Sequence, residues 1–449
     1  MKNIVIGAGP AGRLAGLELG KLGEEVLLIE KNKLGGTCLN EGCMVICALN
    51  DIARFLNNKK QYEKLGLVSG DIGISYKEII KKITKTQEII HRISHEENTS
   101  VNNNIVYGEA EISEAEVSVG GESWEFENLL IATGGKPYIP NILGKKYGKT
   151  HQDFLKLKKV PEKLNVIGGG IIAAEISNIY SSFGSEVNVI VRSSFLNELD
   201  PEIKDYIVKN LFENVNIYEN TSTEEIQKNK IMIKNNKERK ELEGTTFIAT
   251  GRNPNSQIAR NILNDDDFDK KGAIKVNDML ETSRSNVYAA GDVIGGMNLT
   301  PVARMEGILA ARNMAGYLNK IEYNITPQSI ALDMDVSFAK ISDTTNNNTT
   351  SNKNNKTDKN EKTFDVSSPG SGGPGGFWRV LTGDTGVTKA SFNSKTKLLE
   401  SITAISPSSI SDIAYISYLM RTGENISNFD EFIEIHPSTD VFFQIMKYM

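Results

Sequence analysis

Three cysteines are the residues of this chain best suited to covalent chemistry, and they lie close together. Cys38 and Cys43 are five positions apart, and Cys47 follows four positions later in a chain of 449 residues. Cysteines that cross-link a secreted fold are spread along the sequence, so this cluster indicates thiol chemistry. The alternative is that the three thiols are buried and act as small apolar side chains.

A glycine-rich turn precedes the cysteines. The apolar segment 3–6 runs into Gly7, Gly9 and Gly12, a G-x-G-x-x-G pattern followed by helical periodicity. In such a turn the first glycine permits a tight bend, the second lets a pyrophosphate approach the backbone, and the third lets helix and strand pack closely. A second predicted strand ends at Glu30, whose carboxylate can accept a hydrogen bond from a ribose hydroxyl. These elements together predict a dinucleotide-binding unit.

The same pattern occurs a second time. An apolar segment at 164–167 leads into Gly168, Gly170 and Ala173, a G-x-G-x-x-A variant, and a helix and an apolar strand are predicted to follow. Two such units predict two dinucleotides with electrons passing between them. We therefore interpret the cysteine pair beside the first unit as a redox disulfide held against a flavin.

The end of the strand after the second turn bears on the choice of nicotinamide nucleotide. Val191 stands where the first unit has its acid, and Arg192 follows it. No carboxylate is placed for a free 2′-hydroxyl, whereas a guanidinium can bind a 2′-phosphate. The sequence therefore favours NADP over NAD.

Composition excludes several classes of partner. A net charge of −6 argues against nucleic acid or an anionic membrane as a partner. No apolar run reaches the length of a membrane span. The first predicted strand begins at residue 3, which leaves no room for a signal peptide. Because cycling thiols suit a reducing compartment, we expect a cytoplasmic protein.

With two dinucleotide fingerprints and a cysteine pair, the chain resembles the flavin-dependent pyridine nucleotide–disulfide oxidoreductases, the family of dihydrolipoamide dehydrogenase, glutathione reductase and mercuric reductase. The resemblance implies FAD and NADP or NAD as cofactors. It also implies a homodimer that acts on a small-molecule or lipoyl-type disulfide or dithiol, with Asp292 bonding the ribityl chain of FAD. The other residues that match in shorter segments are Thr133, Gly134, Gly251 and Val302.

The resemblance implies an α/β fold with two Rossmann-like dinucleotide-binding domains and a C-terminal α+β dimerisation domain. The FAD-binding domain is expected at 1–148 and 271–322, the NAD(P)-binding domain at 149–270, and the interface domain at 323–449. Within the interface domain, the polar insert at 342–363 should be disordered because it has too few apolar residues to form a core.

The resemblance also assigns roles to single residues. Cys43 is the thiol next to the flavin, and a helix that begins near it should lower its pKa. Cys38 is the thiol that exchanges with the substrate sulfur. His436, supplied across the dimer interface, is the acid–base group that keeps the exchange thiol reactive.

Two positions depart from the family pattern. Cys47 replaces the lysine that pairs with Glu175 in relatives, so Glu175 should become protonated or find another donor. Cys47 itself is either a third redox thiol or a passive apolar replacement. The glutamate that orients the catalytic histidine would stand at Val441, and Asp440 is one residue out of register.

These departures leave three functional hypotheses. The first is an oxidoreductase similar to dihydrolipoamide dehydrogenase, and the second is a reductase of another disulfide. The third is a catalytically altered flavoprotein that serves as a regulatory or lipoyl-carrier-binding subunit.

A helix is predicted at 76–98, with His91 and His95 four positions apart on it. Two histidines one turn apart can bind a metal. No third ligand cluster is evident in the sequence, so we favour a solvated helix face and predict no metal site.

Overall fold

The computed structural model describes residues 2–341, 363–425 and 433–446. The insert predicted to be disordered lies outside the described residues, except for Thr363, which opens a strand. In the described part of the chain, no helix combines the length and the apolar character needed to cross a membrane.

Helices and strands occur along the whole of the described chain. The helices are α1 (Pro10–Lys21), α2 (Gly36–Asn40), α3 (Cys43–Lys64), α4 (Tyr76–Thr99), α5 (Ile171–Ser182), α6 (Pro201–Tyr206), α7 (Thr300–Met314), α8 (Ser409–Thr422) and α9 (Val441–Met446). The strands are β1 (Asn3–Ile6), β2 (Val26–Glu30), β3 (Asn104–Tyr107), β4 (Ala110–Ile112), β5 (Glu116–Val119), β6 (Glu122–Glu125), β7 (Asn128–Ile131), β8 (Gly135–Pro137), β9 (Lys163–Ile167), β10 (Glu186–Ile190), β11 (Val215–Tyr218), β12 (Ser222–Gln227), β13 (Lys230–Lys234), β14 (Arg239–Glu243), β15 (Thr245–Ile248), β16 (Arg252–Pro254), β17 (Val287–Ala289), β18 (Gln328–Ile330), β19 (Asp335–Lys340), β20 (Thr363–Pro369), β21 (Val387–Asn393) and β22 (Leu399–Ser406).

The first sheet is parallel and has the strand order β17-β7-β1-β2-β3. Strands β1 and β2 are buried along their whole length, as expected for a parallel sheet covered on both faces. Helix α1 connects them and packs against α7. A Cβ on Gly307 of α7 would lie 2.1 Å from the backbone oxygen of Ala11, so this helix pair can approach only because residue 307 has no side chain.

The second sheet is also parallel, with the order β11-β10-β9-β15, and α5 connects β9 to β10. Its core contains the fully buried rings of Phe154, Tyr180 and Phe247. The rings of Phe154 and Phe247 stack with centroids 5.1 Å apart. A three-stranded antiparallel sheet, β12-β13-β14, adjoins this unit, and the two-stranded ribbon β16-β8 links it to the first.

The third main sheet is antiparallel, with the order β18-β19-β22-β21-β20, and α8 and α9 share its core. Ion pairs tie it to the rest of the chain: Asp335 of β19 pairs with Arg54 of α3, and Lys389 of β21 lies 3.0 Å from Asp200. Two parallel Rossmann-like sheets and a C-terminal antiparallel sheet confirm the predicted α/β fold class.

Candidate functional site

One large cavity brings together most of the residues predicted to form the site. It has a volume of about 2160 Å³ and lies where the carboxyl ends of β1, β2, β7, β9 and β10 meet. Gly12, Ala173, Val302 and His436 are not part of its wall. The predicted residues that line the cavity are Gly7, Gly9, Glu30, Cys38, Cys43, Thr133, Gly134, Gly168, Gly170, Glu175, Arg192, Gly251 and Asp292.

The first glycine turn has the shape that a pyrophosphate requires. Gly7 has a φ of +98°, and a Cβ on Gly12 would lie 1.8 Å from the oxygen of Gly7, so both positions demand glycine. A Cβ on Gly9 would meet nothing nearer than 3.9 Å, which leaves its backbone open to the cavity. Helix α1 begins at Pro10, directly after the turn, and its N-terminus favours an anion there.

Glu30 is held in place at the end of β2. Its two carboxylate oxygens accept hydrogen bonds from the backbone N–H groups of Ala8 and Asn32, both at 2.8 Å. A carboxylate offers about four lone-pair sites, so Glu30 can also accept from a ribose hydroxyl. These contacts fit the dinucleotide role that the sequence suggested.

Asp292 is oriented by Arg252, a residue that sequence analysis did not single out. The Nε of Arg252 donates to Asp292 Oδ2 at 2.8 Å, and its Nη2 donates to the carbonyl of Gly135 at 2.6 Å. Nearby, the hydroxyl of Thr133 donates to the carbonyl of Asn255 at 2.7 Å. The position of Arg252 directly after Gly251, in a segment that matched the family, was the available signal.

The second glycine turn repeats the first. A Cβ on Gly168 would lie 2.2 Å from the backbone oxygen of Ala249, whereas Gly170 has open space on its Cβ side. Ala173 is fully buried and lets α5 pack against the sheet. Arg192 is exposed at the wall of the cavity, beyond the end of β10. This side of the cavity therefore fits a second dinucleotide.

The cysteine pair lies in the same cavity. Cys38 is part of α2, Cys43 is the first residue of α3, and both are free thiols in this structure. A hydrogen bond between the two lowers the pKa of Cys38 to about 6 and raises the pKa of Cys43. The reduced pair therefore shares one proton, which lies on Cys43, while Cys38 carries the negative charge.

The raised pKa of Cys43 is opposite to the expected lowering. Helix α3 does begin at Cys43, but the hydrogen bond to Cys38, burial and the charge on Cys38 outweigh the effect of the helix end. Sequence analysis also missed Thr300, whose Oγ1 lies 3.6 Å from Cys43 Sγ. Hydrogen bonding by Thr300 lowers the pKa of both thiols, and the charge of Arg304 lowers that of Cys38.

Helix α4 supports residues 38–43, here called the cysteine loop, which corrects the expectation of a solvated face at His91. The Nε2 of His91 hydrogen-bonds Asn40 Oδ1 at 2.7 Å, and Gln87 donates to the carbonyl of Leu39 at 2.8 Å. His95 is exposed. Within the described ranges, no three His, Cys, Asp or Glu side chains are grouped to hold a metal ion.

Glu175 accommodates the loss of its lysine partner in both of the expected ways. Its Oε1 accepts a hydrogen bond from the backbone N–H of Ala331 at 3.0 Å, and burial raises its pKa to about 8, so it is protonated at neutral pH. Burial also raises the pKa of Cys47, which keeps this thiol protonated.

The C-terminal residues near His436 have other structural roles. Asp440 accepts hydrogen bonds from the Tyr415 hydroxyl at 2.9 Å and from the backbone N–H of Phe442, also at 2.9 Å, so it caps α9. Val441 is 1% exposed and belongs to the core of the antiparallel sheet. His436 is exposed. Among the described residues, the contacts of Asp440 are thus with Tyr415 and the start of α9.

We expect Cys38 of the reduced, flavin-free protein to react with iodoacetamide with an apparent pKa of about 6, because Cys43 stabilises its thiolate. Cys43→Ala should raise this apparent pKa toward that of an ordinary thiol, whereas Cys47→Ser should change it little. Mass spectrometry of alkylated peptides across a pH series measures the effect. A wild-type Cys38 that titrates as an ordinary thiol would contradict the shared proton.

Glu175→Gln should alter the pH dependence of stability in the flavin-free protein. Because the folded pKa of about 8 lies above the ordinary value of 4.5, the stabilising effect of Glu175 is complete at low pH and is lost as pH rises through 8. The variant cannot ionise. Its free energy of unfolding should therefore increase relative to that of the wild type by about 1.4 kcal/mol for each pH unit between 4.5 and 8. Urea unfolding across this range measures the difference, with exposed Glu198→Gln as the control. Parallel pH profiles would refute the prediction.

Several known proteins are similar to this chain. The family model described as pyridine nucleotide-disulphide oxidoreductase matches residues 1–307. An uncharacterized protein of Methanocaldococcus jannaschii is 31% identical over 454 residues, which cover 99% of this chain and 97% of that protein. The dihydrolipoyl dehydrogenase of Buchnera aphidicola is 30% identical over 366 residues, 76% of this chain and 75% of the enzyme. The mercuric reductase of Lysinibacillus sphaericus is 30% identical over 341 residues, 72% of this chain but only 62% of that reductase.

Among solved structures, the HOCl-induced flavoprotein disulfide reductase RclA from Escherichia coli superimposes with a TM-score of 0.82 over 98% of both chains. At 24% identity this likeness is one of fold. The family match covers both glycine turns, the cysteine pair and Asp292. The chain belongs to the pyridine nucleotide–disulfide oxidoreductases, which are FAD-dependent and use NAD(P)H.

Proposed function

We propose that this protein transfers two electrons between NAD(P)H and a small-molecule or lipoyl-type disulfide, as a dihydrolipoamide dehydrogenase-like enzyme would. In one direction NAD(P)H reduces the disulfide, and in the other the dithiol is oxidised and NAD(P)+ is reduced. The observation that carries this proposal is the placement of Cys38 and Cys43 in the cavity that both glycine turns face. Bound FAD supplies the two-electron link between the nicotinamide and the cysteine pair.

The lowered pKa of Cys38 supports its role as the exchange thiol. The Cys38 thiolate attacks one sulfur of the substrate disulfide, so a Cys38–substrate bond forms and the first substrate thiolate leaves. Cys43 then attacks Cys38, which forms the Cys38–Cys43 disulfide and releases the second substrate sulfur. The proton of Cys43 and one further proton neutralise the two leaving thiolates. Two electrons pass from the cysteine pair to the substrate.

We further propose that His436 supplies the second proton across a homodimer interface. His436 is exposed and lies outside the cavity wall of its own chain, which supports a role in a partner subunit. Large apolar side chains are exposed in the same domain, including Phe377, Leu381, Ile433 and Ile435. Exposed apolar surface of this kind favours a protein interface. We propose a cytoplasmic location because the thiols must cycle.

A second candidate function is a flavoprotein with altered catalysis that acts as a regulatory or lipoyl-carrier-binding subunit. The observation that favours it is the commitment of Asp440 to capping α9 and of Val441 to the core. In this hypothesis the protein binds FAD and oxidises NAD(P)H, but it reduces disulfides poorly.

Turnover of disulfides by the FAD-loaded protein separates these functions. We expect NAD(P)H oxidation with lipoamide or another low-molecular-weight disulfide, and a loss of at least about a hundredfold in Cys38→Ser and in Cys43→Ser, because each thiol is needed in one exchange step. Reduction of an artificial dye that accepts electrons from flavin should persist in both variants. Cys47→Ser is the matched control.

Two other results would decide against the main proposal. Dye reduction without turnover of any disulfide in the wild type would favour the regulatory or carrier-binding function. Disulfide turnover that survives in Cys38→Ser and Cys43→Ser would show that these thiols do not carry the reaction.

The preference for NADPH rests on Arg192, which we propose as the ligand of the 2′-phosphate. Arg192→Glu should raise the KM for NADPH at least about tenfold more than the KM for NADH, because it places a negative charge beside the phosphate. Lys158→Glu, the same charge change at an exposed position outside the cavity, should affect both equally. Equal losses with both nucleotides in the Arg192 variant would remove it from this role.

A further inference from the structure

His151 is a buried histidine that neither the sequence motifs nor the proposed electron path use. It opens a short 3₁₀ helix, His151–Lys156, whose start is capped by Thr150. The residue is only 9% exposed, and it forms part of the cavity wall. A buried imidazole in such a place needs an account of both ring nitrogens.

The first ring nitrogen is held by Arg252. The Nη1 of Arg252 lies 3.1 Å from His151 Nε2, while Nε of the same guanidinium donates to Asp292 at 2.8 Å. A guanidinium can only donate, so Nε2 must accept and the ring proton lies on Nδ1. Burial, followed by the charge of Arg252, lowers the pKa of His151 to about 4, so the ring is neutral at physiological pH.

The second ring nitrogen faces the cysteine loop. Nδ1 is buried and has no hydrogen-bond partner among the described residues. The backbone of Glu41 raises the pKa of His151 and therefore lies close to the ring. Glu41 lies between Cys38 and Cys43, and the adjacent Gln152 side chain donates to its carboxylate at 2.8 Å. A small approach of the loop would complete the Nδ1–H hydrogen bond.

We propose that His151 is a positioning residue that couples the cysteine loop to the carboxylate that anchors FAD. Its Nε2 fixes Arg252 and through it Asp292. Its Nδ1–H, which has no partner among the described residues, is the donor for the backbone of Glu41 when the loop approaches the ring. Flavin anchoring and the spacing of Cys38 and Cys43 then depend on one neutral ring. The inference rests on the proposed function in taking FAD as the bound cofactor, and on the family resemblance in taking Asp292 as its ligand.

Two conservative variants separate the two ring nitrogens. The amide oxygen of His151→Gln can replace Nε2 as the acceptor for Arg252, whereas the amide N–H of His151→Asn can replace Nδ1–H as the donor toward Glu41. His151→Leu removes both functions. His95→Gln, at an exposed position on α4, is the matched control.

Two measurements follow the two halves of the coupling: the Kd of FAD for the flavin-free protein, by fluorescence, and the pH dependence of Cys38 alkylation. His151→Asn should raise the FAD Kd about tenfold and leave the Cys38 titration unchanged. His151→Gln should keep the FAD Kd and shift the Cys38 titration to higher pH, because a loosened loop weakens the hydrogen bond from Cys43. His151→Leu should show both effects.

The inference is overturned if folded His151→Leu matches the wild type in both measurements. It is also overturned if the Gln and Asn variants lose both properties equally, since that result describes a general packing defect. If His151→Leu does not fold, the Gln and Asn pair decides alone. A wild-type protein that binds no FAD would instead refute the proposed function, so the two failures are distinguishable.

Discussion

The two parallel sheets direct their carboxyl ends into one cavity, and this constraint places both glycine turns, Glu30, the cysteine pair and Asp292 around the same space. A crossover helix leaves each sheet at this edge, so both glycine turns must face the same space. The cysteine loop follows the end of β2 directly, and it is therefore carried to the same edge. The β17 strand returns to the first sheet beside β7, late in the chain, and brings Asp292 to the same cavity.

The cavity limits the number of buried charges. Cys38 and Cys43 share one proton, Glu175 is protonated, and His151 is neutral. Arg252 is an ion there, but it is paired with the carboxylate of Asp292. Burying an unpaired charge costs several kcal/mol, which explains why Glu175 is protonated, why His151 is neutral and why Arg252 is paired with Asp292.

In the C-terminal domain, a shift of one position along the chain changes what a carboxylate contacts. By the family resemblance, Val441 stands where relatives have the glutamate that orients the catalytic histidine. Its side chain instead fills the core between α9 and the antiparallel sheet. Asp440 is used as the cap of α9 and as the acceptor for Tyr415. A carboxylate introduced at 441 would therefore be buried among apolar side chains.

The sequence by itself determined the features that depend on a few neighbouring residues. The glycine spacings, the acid at the end of β2 and the start of α3 at Cys43 are local, and each was predicted correctly. Only the tertiary structure decided which polar groups contact each other. The contacts of Arg252 with Asp292, of His151 with Arg252 and of Glu175 with Ala331 join residues 40, 101 and 156 positions apart. The side of the cysteine pair that carries the charge also depends on burial and on Thr300 from α7, which no local pattern contains.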